Sequence, residues 1–155
     1  MILKNIKKEK FELSKSLDAI NDWLKNAKKS KWFILFVNNN EYEYVQYFYS
    51  EYGLILDWPY NIKNSPQNFN QFLKVNTEMR KLRYKRVKRK CSKYLRYHEY
   101  GEFNTKNKNG KIFKVIRLNI EKNAYEVIEL TKYLFSKIYD FENTKEILMS
   151  ICLFD

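Results

Sequence analysis

The first pattern of apolar positions in the chain is helical. Between residues 9 and 28, apolar residues recur at spacings of three and four. They are Leu13, Leu17, Ile20, Leu24 and Ala27. This spacing predicts an amphipathic helix over 9–28, with one face toward a core.

The segment that follows has the composition of β-strands. KWFILFV, EYEYVQYFY and LILDWP are rich in β-branched and aromatic residues and are separated by the turn sequences NNN and SEYG. They predict three antiparallel strands at about 31–37, 41–49 and 54–58. We expect Pro59 to end the third strand, because proline has no N–H to donate to a neighbouring strand.

A second helix is predicted to begin at Ser65-Pro66. Serine can cap free backbone amides, and proline fits the first turn, where its missing N–H costs nothing. Phe69, Phe72 and Leu73 are then expected to face inward.

Residues 80–96, RKLRYKRVKRKCSKYLR, are called the basic segment below. Four apolar positions in this segment follow one another at helical intervals; they are Tyr84, Val87, Cys91 and Tyr94. The spacing predicts a basic helix with a narrow apolar seam. The alternative is a strand that begins after Arg83.

The last third of the chain predicts a hairpin, a helix and a final strand. YLRYHEYGEF and KIFKVIRLN flank the polar loop NTKNKNG, a pattern typical of a β-hairpin. EILMSICLF, at 146–154, is short and apolar; it fits a final strand or a helix turn, and we favour the strand. The helix, over 121–139, has the most regular apolar stripe of the protein: Ala124, Val127, Ile128, Thr131, Leu134, Phe135 and Ile138.

The predicted order of elements is α-β-β-β-α-β-β-α-(β). Strands that are grouped rather than alternating with helices indicate the α+β class, with an antiparallel sheet flanked by helices. The 155 residues contain 45% hydrophobic and 17% aromatic residues, which is enough for one core and argues against disorder. No repeat or linker divides the chain, so we expect a single domain over 1–155.

Positive charge is concentrated in the basic segment. The chain carries 30 Lys and Arg against 18 Asp and Glu, and ten of these cations lie in 80–96. A local field of one sign attracts an oppositely charged partner, and arginine suits bidentate contact with carboxylate or phosphate. We therefore predict a partner-binding surface made of Arg80, Lys81, Arg83, Lys85, Arg86, Lys88, Arg89 and Arg96.

Two other interpretations of the basic segment remain open. It could be the solvated surface of a Lys-rich protein, since abundant Lys, Asn, Ile and Tyr are typical of an AT-rich genome. It could also bind RNA or DNA, because Tyr84, Tyr94 and Tyr97 are interleaved with cations, and aromatic rings stack on bases where cations neutralise phosphates. The chain contains no RRM, KH or zinc-finger signature.

The sequence offers little support for catalysis. His98 is the only histidine, so any histidine-dependent mechanism would have to use it. The pairs Glu99/Glu102 and Glu41/Glu43 could contact a metal, but such spacing is also typical of the solvent face of a strand. With three glycines, the chain has no phosphate-binding loop or dinucleotide fingerprint. We predict a non-enzymatic protein without a cofactor or a metal site.

Cysteine spacing and hydropathy indicate the cellular compartment in which the protein is expected. Cys91 and Cys152 have no CxxC spacing, so we expect reduced, partly buried thiols. MILKNIKKEKF has no apolar run long enough for a signal peptide, and no stretch approaches the ~20 apolar residues that span a bilayer. A cytoplasmic protein without membrane association is predicted.

Two stretches of the chain resemble a known bacterial pattern. In WFILFVNNNEYEYVQYFYSEYGLILDWP, at 32–59, YVQY and GLILDWP follow a hydrophobic strand. KVIRLNIEKNAYEVIELTKYLFSKIY, at 114–139, is similar to a closing helix with an early alanine. Together they resemble the TY-chap family, small bacterial proteins with a fold like that of type III secretion chaperones. The resemblance covers about a third of the chain, and 80–96 has no counterpart in it.

The resemblance implies a non-enzymatic protein that binds another protein and that often acts as a dimer. Some proteins of this architecture are secretion chaperones or immunity partners of toxins. We therefore expect a chaperone-like or immunity-type protein that shields or neutralises a partner, such as a toxin or a secreted effector. In this hypothesis the basic segment meets an acidic surface of the partner.

Overall fold

The computed structural model describes residues 3–27, 32–40, 43–50, 53–61, 69–106, 110, 112–120, 123–142 and 146–154. The elements in these ranges are β1 (Leu3–Glu12), α1 (Leu17–Ala27), β2 (Trp32–Asn40), β3 (Glu43–Ser50), β4 (Gly53–Asn61), α2 (Phe69–Lys81), β5 (Lys85–Arg86), β6 (Glu99–Lys106), β7 (Ile112–Ile120), α3 (Ala124–Tyr139) and β8 (Glu146–Phe154).

The strands form one eight-stranded sheet in the order β1-β8-β2-β3-β4-β7-β6-β5. Neighbouring strands are antiparallel except for β5 and β6, which are parallel. The predicted α+β class, with helices against a largely antiparallel sheet, is confirmed. The observed order also contains β1, which the sequence patterns did not predict, and β5, which only the alternative of a strand after Arg83 predicted.

One face of the sheet carries the hydrophobic core. Tyr47, Leu56, Leu118 and Tyr100 are neighbours in register across β3, β4, β7 and β6, and all are fully buried. They form one cluster with buried side chains of α1, α2 and α3. All three described helices therefore cover this face.

The opposite face is called the back face below. Side chains alternate along a strand, so the adjacent row of Gln46, Asp57, Arg117 and Gly101 belongs to it. Arg117 Nε donates to Asp57 Oδ1 at 3.0 Å, and Gln46 donates to the other carboxylate oxygen. This polar row leads across the sheet toward β6 and the basic segment.

The predicted helix over 9–28 is wrong in its first half. Residues through Glu12 belong to β1, which pairs with β8 so that Phe11 lies opposite Ile147. A single 3-10 turn follows, with Leu13 fully buried, and α1 then begins at Leu17. Leu17 is 43% exposed rather than part of the inward stripe.

The three predicted strands of the meander are confirmed as β2, β3 and β4, but Pro59 does not end the last one. β4 continues to Asn61, and Pro59 lies opposite Val115 of β7. β3 pairs with β4 only between Gly53 and Asp57. At Pro59 the strand therefore has one described neighbour, and a missing N–H on its other side breaks no ladder bond.

The later elements agree better with the patterns. The predicted hairpin is formed by β6 and β7, although β6 begins at Glu99 rather than Tyr94 and extends into the predicted loop as far as Lys106. β8 spans 146–154 as predicted. Every residue of the predicted stripe on α3 is buried. The helix is capped by Asn123, whose side chain accepts the Tyr125 N–H at 2.8 Å, and it ends at Asp140 in a left-handed conformation.

The start predicted for the second helix lies outside the described residues, at Ser65-Pro66. Within α2, Phe72 is 2% exposed and belongs to the core, as predicted. Leu73 is 46% exposed, so its predicted inward orientation is wrong.

Candidate partner-binding surface

The basic segment is not a helix. α2 ends at Lys81, and Arg83 then takes a left-handed conformation with φ of 64°. The Arg83 N–H donates to Arg80 O at 2.9 Å, and the Tyr84 N–H donates to Met79 O at 3.1 Å. This pair of hydrogen bonds is the Schellman motif that terminates helices, with arginine at the position where glycine is usual. The predicted basic helix with an apolar seam is therefore wrong.

The alternative, a strand after Arg83, is correct over two residues. Lys85 and Arg86 form β5 at the edge of the sheet, where the Lys85 N–H donates to His98 O at 2.9 Å. The Val87 N–H donates to Tyr100 O at the same distance. The chain thus runs beside the first residues of β6.

Gly101 permits this close approach. A Cβ at Gly101 would lie 2.9 Å from the Val87 carbonyl oxygen and 3.2 Å from the Phe103 ring. Since Gly101 belongs to the back face, the basic segment passes over that face at this point. A glycine in a strand often marks such an approach of two backbones.

The end of the segment is tied to β7 by Asn119. The Asn119 side chain donates to Leu95 O at 2.9 Å, and its backbone carbonyl accepts the His98 N–H at 2.8 Å. Leu95 is 3% exposed, and a 3-10 turn at 92–94 precedes it. His98 has a φ of 64° where the chain turns into β6.

Two of the predicted binding arginines are paired with carboxylates of the protein itself. Arg89 Nη2 donates to Glu99 Oε1 at 3.1 Å and to Oε2 at 2.9 Å. Arg86 Nη2 lies 3.4 Å from Glu102 Oε1, which also accepts from Asn76 at 2.7 Å. Arg86 and Arg89 therefore hold the segment in place, and their predicted role in docking stays a prediction.

The electrostatics of Glu99 follow from these contacts. Burial opposes its ionisation, but the Arg96 N–H at 2.9 Å and the Arg89 guanidinium outweigh burial. The pKa of Glu99 is therefore lowered from its ordinary value. An ionised, buried carboxylate anchors the segment at neutral pH.

Most of the remaining cations point to solvent. Lys81, at the end of α2, is exposed and lies 3.2 Å from Glu78. Seven other cations are exposed and have no ion pair with a carboxylate of the described residues; they are Arg80, Arg83, Lys85, Lys88, Lys90, Lys93 and Arg96. Five of these seven are among the predicted binding residues. The seven lie along one ordered stretch of backbone, called the exposed strip below, from the last turn of α2 to the turn before β6, rather than on one helix.

Exposed aromatic rings lie in the same strip. Tyr94 is 53% exposed and Tyr97 is 51% exposed. Lys93 Nζ lies 5.1 Å from the centre of the Tyr94 ring, and Tyr97 stacks on His98 with ring centres 3.8 Å apart. His98 Nε2 is 3.3 Å from Glu126 Oε1 of α3. The only histidine of the sequence is thus placed with tyrosines and a carboxylate.

Of the two candidate carboxylate pairs, only Glu99/Glu102 lies within the described residues, and its members are not paired. Glu99 and Glu102 lie on different faces of β6 and have separate partners. Glu41 lies outside the described residues, as does the side chain of Glu43. Within the described ranges, no group of three or more His, Cys, Asp or Glu is arranged to hold a metal.

The two cysteines lie far apart in the sequence, one in a bend of the basic segment and the other in β8. Cys91 is a free, half-buried thiol in the basic segment. Cys152 belongs to β8, and its side chain lies outside the description.

Comparisons with known proteins leave the family open. A scan against models of protein families finds no match, and searches of curated proteins and of solved structures find none either. The resemblance to the TY-chap family stays a prediction. None of the helices in the described ranges has the length and apolarity to cross a membrane.

Proposed function

We propose that this chain is a non-enzymatic protein that binds an acidic surface of a partner protein through the basic segment. One observation carries the proposal: seven exposed cations without an ion pair in the described residues lie on a strip of fixed backbone. A chaperone-like or immunity-type role, in which binding shields or neutralises the partner, fits such a surface. A toxin or a secreted effector with an acidic patch is the proposed class of partner.

Order in the segment supports binding. Its backbone is tied at Arg83, Val87, Leu95 and His98 by hydrogen bonds to α2, β6 and β7. Association is weakened when flexible groups must be immobilised, and preorganised groups avoid much of that loss. The paired Arg89 therefore contributes to binding indirectly, because it keeps the exposed cations in place.

The residue types of the strip match those that dominate protein interfaces. Arginine and tyrosine are enriched among residues whose truncation costs most binding energy. Arg96 lies between Tyr94 and Tyr97, and all three are exposed. The cations around them would speed encounter with an acidic surface more than they would tighten the final complex.

A second candidate function is binding of RNA or single-stranded DNA by the same strip. Exposed Tyr94 and Tyr97 favour it, because flat aromatic rings beside cations suit base stacking combined with phosphate contacts. The two functions differ in their dependence on salt. Affinity for nucleic acid falls steeply with salt concentration through release of counterions.

The test compares the wild type with an Arg83→Glu/Arg96→Glu double variant. Each is used as bait in pull-downs from nuclease-treated lysate of the source organism, and the affinity of each for the captured protein is then measured. The control is Lys25→Glu/Lys74→Glu, which reverses two exposed cations on α1 and α2. We expect a specific protein partner that the first variant loses and the control retains. Equal binding by both variants would mean that the partner docks elsewhere.

Nucleic acid is tested in parallel with heparin retention and mobility shifts at moderate salt. Negligible retention and no shift reject the RNA or DNA function. If capture yields RNA and no protein, and nuclease removes everything captured, the protein-binding proposal fails instead.

A further inference from the structure

A cavity of about 350 Å³ lies where the basic segment passes over the back face of the sheet. Its wall consists of Arg89–Cys91 of the segment, Glu102–Asn104 of β6 and Arg117 of β7. We propose that this cavity is a binding site for a phosphate monoester group. The site shares Lys90 with the exposed strip of the proposed function, but it does not depend on that function.

Three cations from two elements meet at the cavity. The guanidinium of Arg89 is oriented by Glu99 at 2.9 Å, and that of Arg117 is oriented by Asp57 at 3.0 Å. Lys90 is exposed and supplies an ammonium group that can follow a ligand. Cationic groups held in position before a ligand arrives lose little freedom when it binds.

Arg89 also has an unused donor. Its Nε is buried and has no hydrogen-bond partner among the described residues. A guanidinium has five N–H groups, and Glu99 accepts from Nη2 alone. Because Nε has no accessible surface, the Nη1 hydrogens are the donors that Arg89 can direct toward an anion oxygen in the adjoining cavity.

The carboxylate in the wall does not oppose an anion strongly. Glu102 Oε1 accepts from Asn76 at 2.7 Å and lies 3.4 Å from Arg86 Nη2, so its charge is already compensated. A phosphate monoester carries close to two negative charges and three strong acceptor oxygens, which matches several donors better than a carboxylate does.

The size of the cavity indicates a phosphate with a small carrier. Its volume is at the lower end of the ~300–1,000 Å³ range of small-molecule sites. Phe103, half-buried in the wall, offers an apolar surface to the group that bears the phosphate. Phosphoserine and a nucleoside monophosphate are the two carriers to be compared.

The experiment titrates the intact protein with inorganic phosphate at constant ionic strength. Calorimetry measures binding, and mass spectrometry measures the rate at which iodoacetamide alkylates each cysteine. Because Cys91 lines the cavity, saturating phosphate should slow its alkylation several-fold. Lys90→Gln should weaken phosphate binding by about tenfold, since a charged hydrogen bond contributes on this order. Lys93→Gln, an exposed cation outside the wall, should leave it unchanged.

Three outcomes overturn the proposal. They are the absence of saturable phosphate binding, an unchanged alkylation rate of Cys91 at saturation, and equal affinity in wild type and Lys90→Gln. Phosphate binding that is lost in Arg83→Glu/Arg96→Glu, with Cys91 unprotected, would place the anion on the exposed strip and also reject the cavity. Phosphoserine and adenosine monophosphate are then titrated separately. The compound that binds more tightly than inorganic phosphate identifies the carrier.

Discussion

Arg89 donates through one nitrogen to both carboxylate oxygens of Glu99, at 3.1 and 2.9 Å, and so joins the middle of the basic segment to the first residue of β6. Glu99 is buried and also accepts the Arg96 N–H at 2.9 Å. One acidic residue therefore holds two parts of the segment at once. The stretch from Arg89 to Arg96, with the exposed Lys90 and Lys93, is thus held at both ends by Glu99.

Arg89→Gln should lower the free energy of unfolding by about 2 kcal/mol. The change leaves the Glu99 carboxylate buried without its cation, and removing one partner of a buried pair costs more than the pair itself contributes. The figure is below that for fully buried pairs because the Arg89 side chain is 33% exposed. Urea unfolding followed by circular dichroism measures it.

Lys88→Gln is the matched control, since Lys88 is an exposed cation of the same segment without an ion pair in the described residues. Its stability should stay within about 0.5 kcal/mol of wild type. If Arg89→Gln were equally harmless, the pair with Glu99 would not be what anchors the segment.

Stability should fall in acid as Glu99 and Glu78 take up protons. The pKa values of both carboxyls are lowered from the ordinary 4.5. A carboxyl whose pKa is lower in the folded state stabilises the protein above its unfolded pKa, and that contribution is lost as pH falls below about 4.5. Urea unfolding at pH 7 and at several values below 4.5 tests this. Glu99→Gln should flatten the acid limb, and an unchanged limb would contradict the role given to Glu99.

Tyr133 provides the corresponding prediction in alkali. Its hydroxyl donates to Glu78 Oε2 at 2.5 Å, and this hydrogen bond raises the pKa of Tyr133 to about 12. A group whose folded pKa is raised stabilises the protein below its unfolded pKa of 10, and the contribution is lost as pH rises from 10 to 12. Tyr133→Phe should lose about 1 kcal/mol of stability at neutral pH.

Ultraviolet titration of tyrosinate checks the assignment. Tyr133→Phe should remove one late-titrating tyrosine, whereas Tyr125→Phe, which alters an exposed ring on the same helix, should leave the late step intact. Loss of one late-titrating tyrosine in both variants, or in neither, would show that Glu78 does not control the ionisation of Tyr133.

Local patterns predicted the parts of the fold whose signals are local. The stripe on α3 is regular because seven positions face one core, and all seven are buried. β1 lacks such a signal. LKNIKKEKFE has no sustained alternation, and its strand conformation depends on pairing with β8 at the other end of the chain. Strand formation that depends on a distant partner is poorly visible in local sequence.

The path of the basic segment was hidden for a related reason. Its helical spacing is real, but Arg83 stops the helix in a left-handed conformation that sequence rules expect of glycine or asparagine. The residues that then fix the segment, Asn119 and Glu99, belong to strands that follow it in the chain. Gly101, a lone glycine in a strand pattern, was the one available signal of a close backbone approach.

Gly101→Val should loosen the basic segment without unfolding the domain. The added side chain would collide with the Val87 carbonyl oxygen, which is backbone and cannot easily move. We expect faster trypsin cleavage within 80–96, because proteolysis requires local release of the backbone. Mass spectrometry of early fragments locates the cuts.

Gly110→Ala is the control for a general loss of stability. Gly110 has a positive φ of 75°, so alanine there is strained, but no atom lies within 4 Å of the added Cβ. This variant should lose about 1 kcal/mol without early cuts in the basic segment. Equal cleavage of both variants would show that Gly101 does not secure the segment.

Arg83→Gly should stabilise the protein and weaken partner binding at the same time. The left-handed conformation at Arg83 costs about 1 kcal/mol for a residue with a Cβ and little for glycine, although glycine also adds freedom to the unfolded chain. We expect a net gain of a few tenths to about 1 kcal/mol in urea unfolding. Arg83→Ala removes the same charge but keeps the strain, so it should weaken binding equally without that gain. If Arg83→Gly were less stable than Arg83→Ala, the helix end would not be set by backbone conformation. If both variants bound the partner as tightly as wild type does, Arg83 would lie outside the interface.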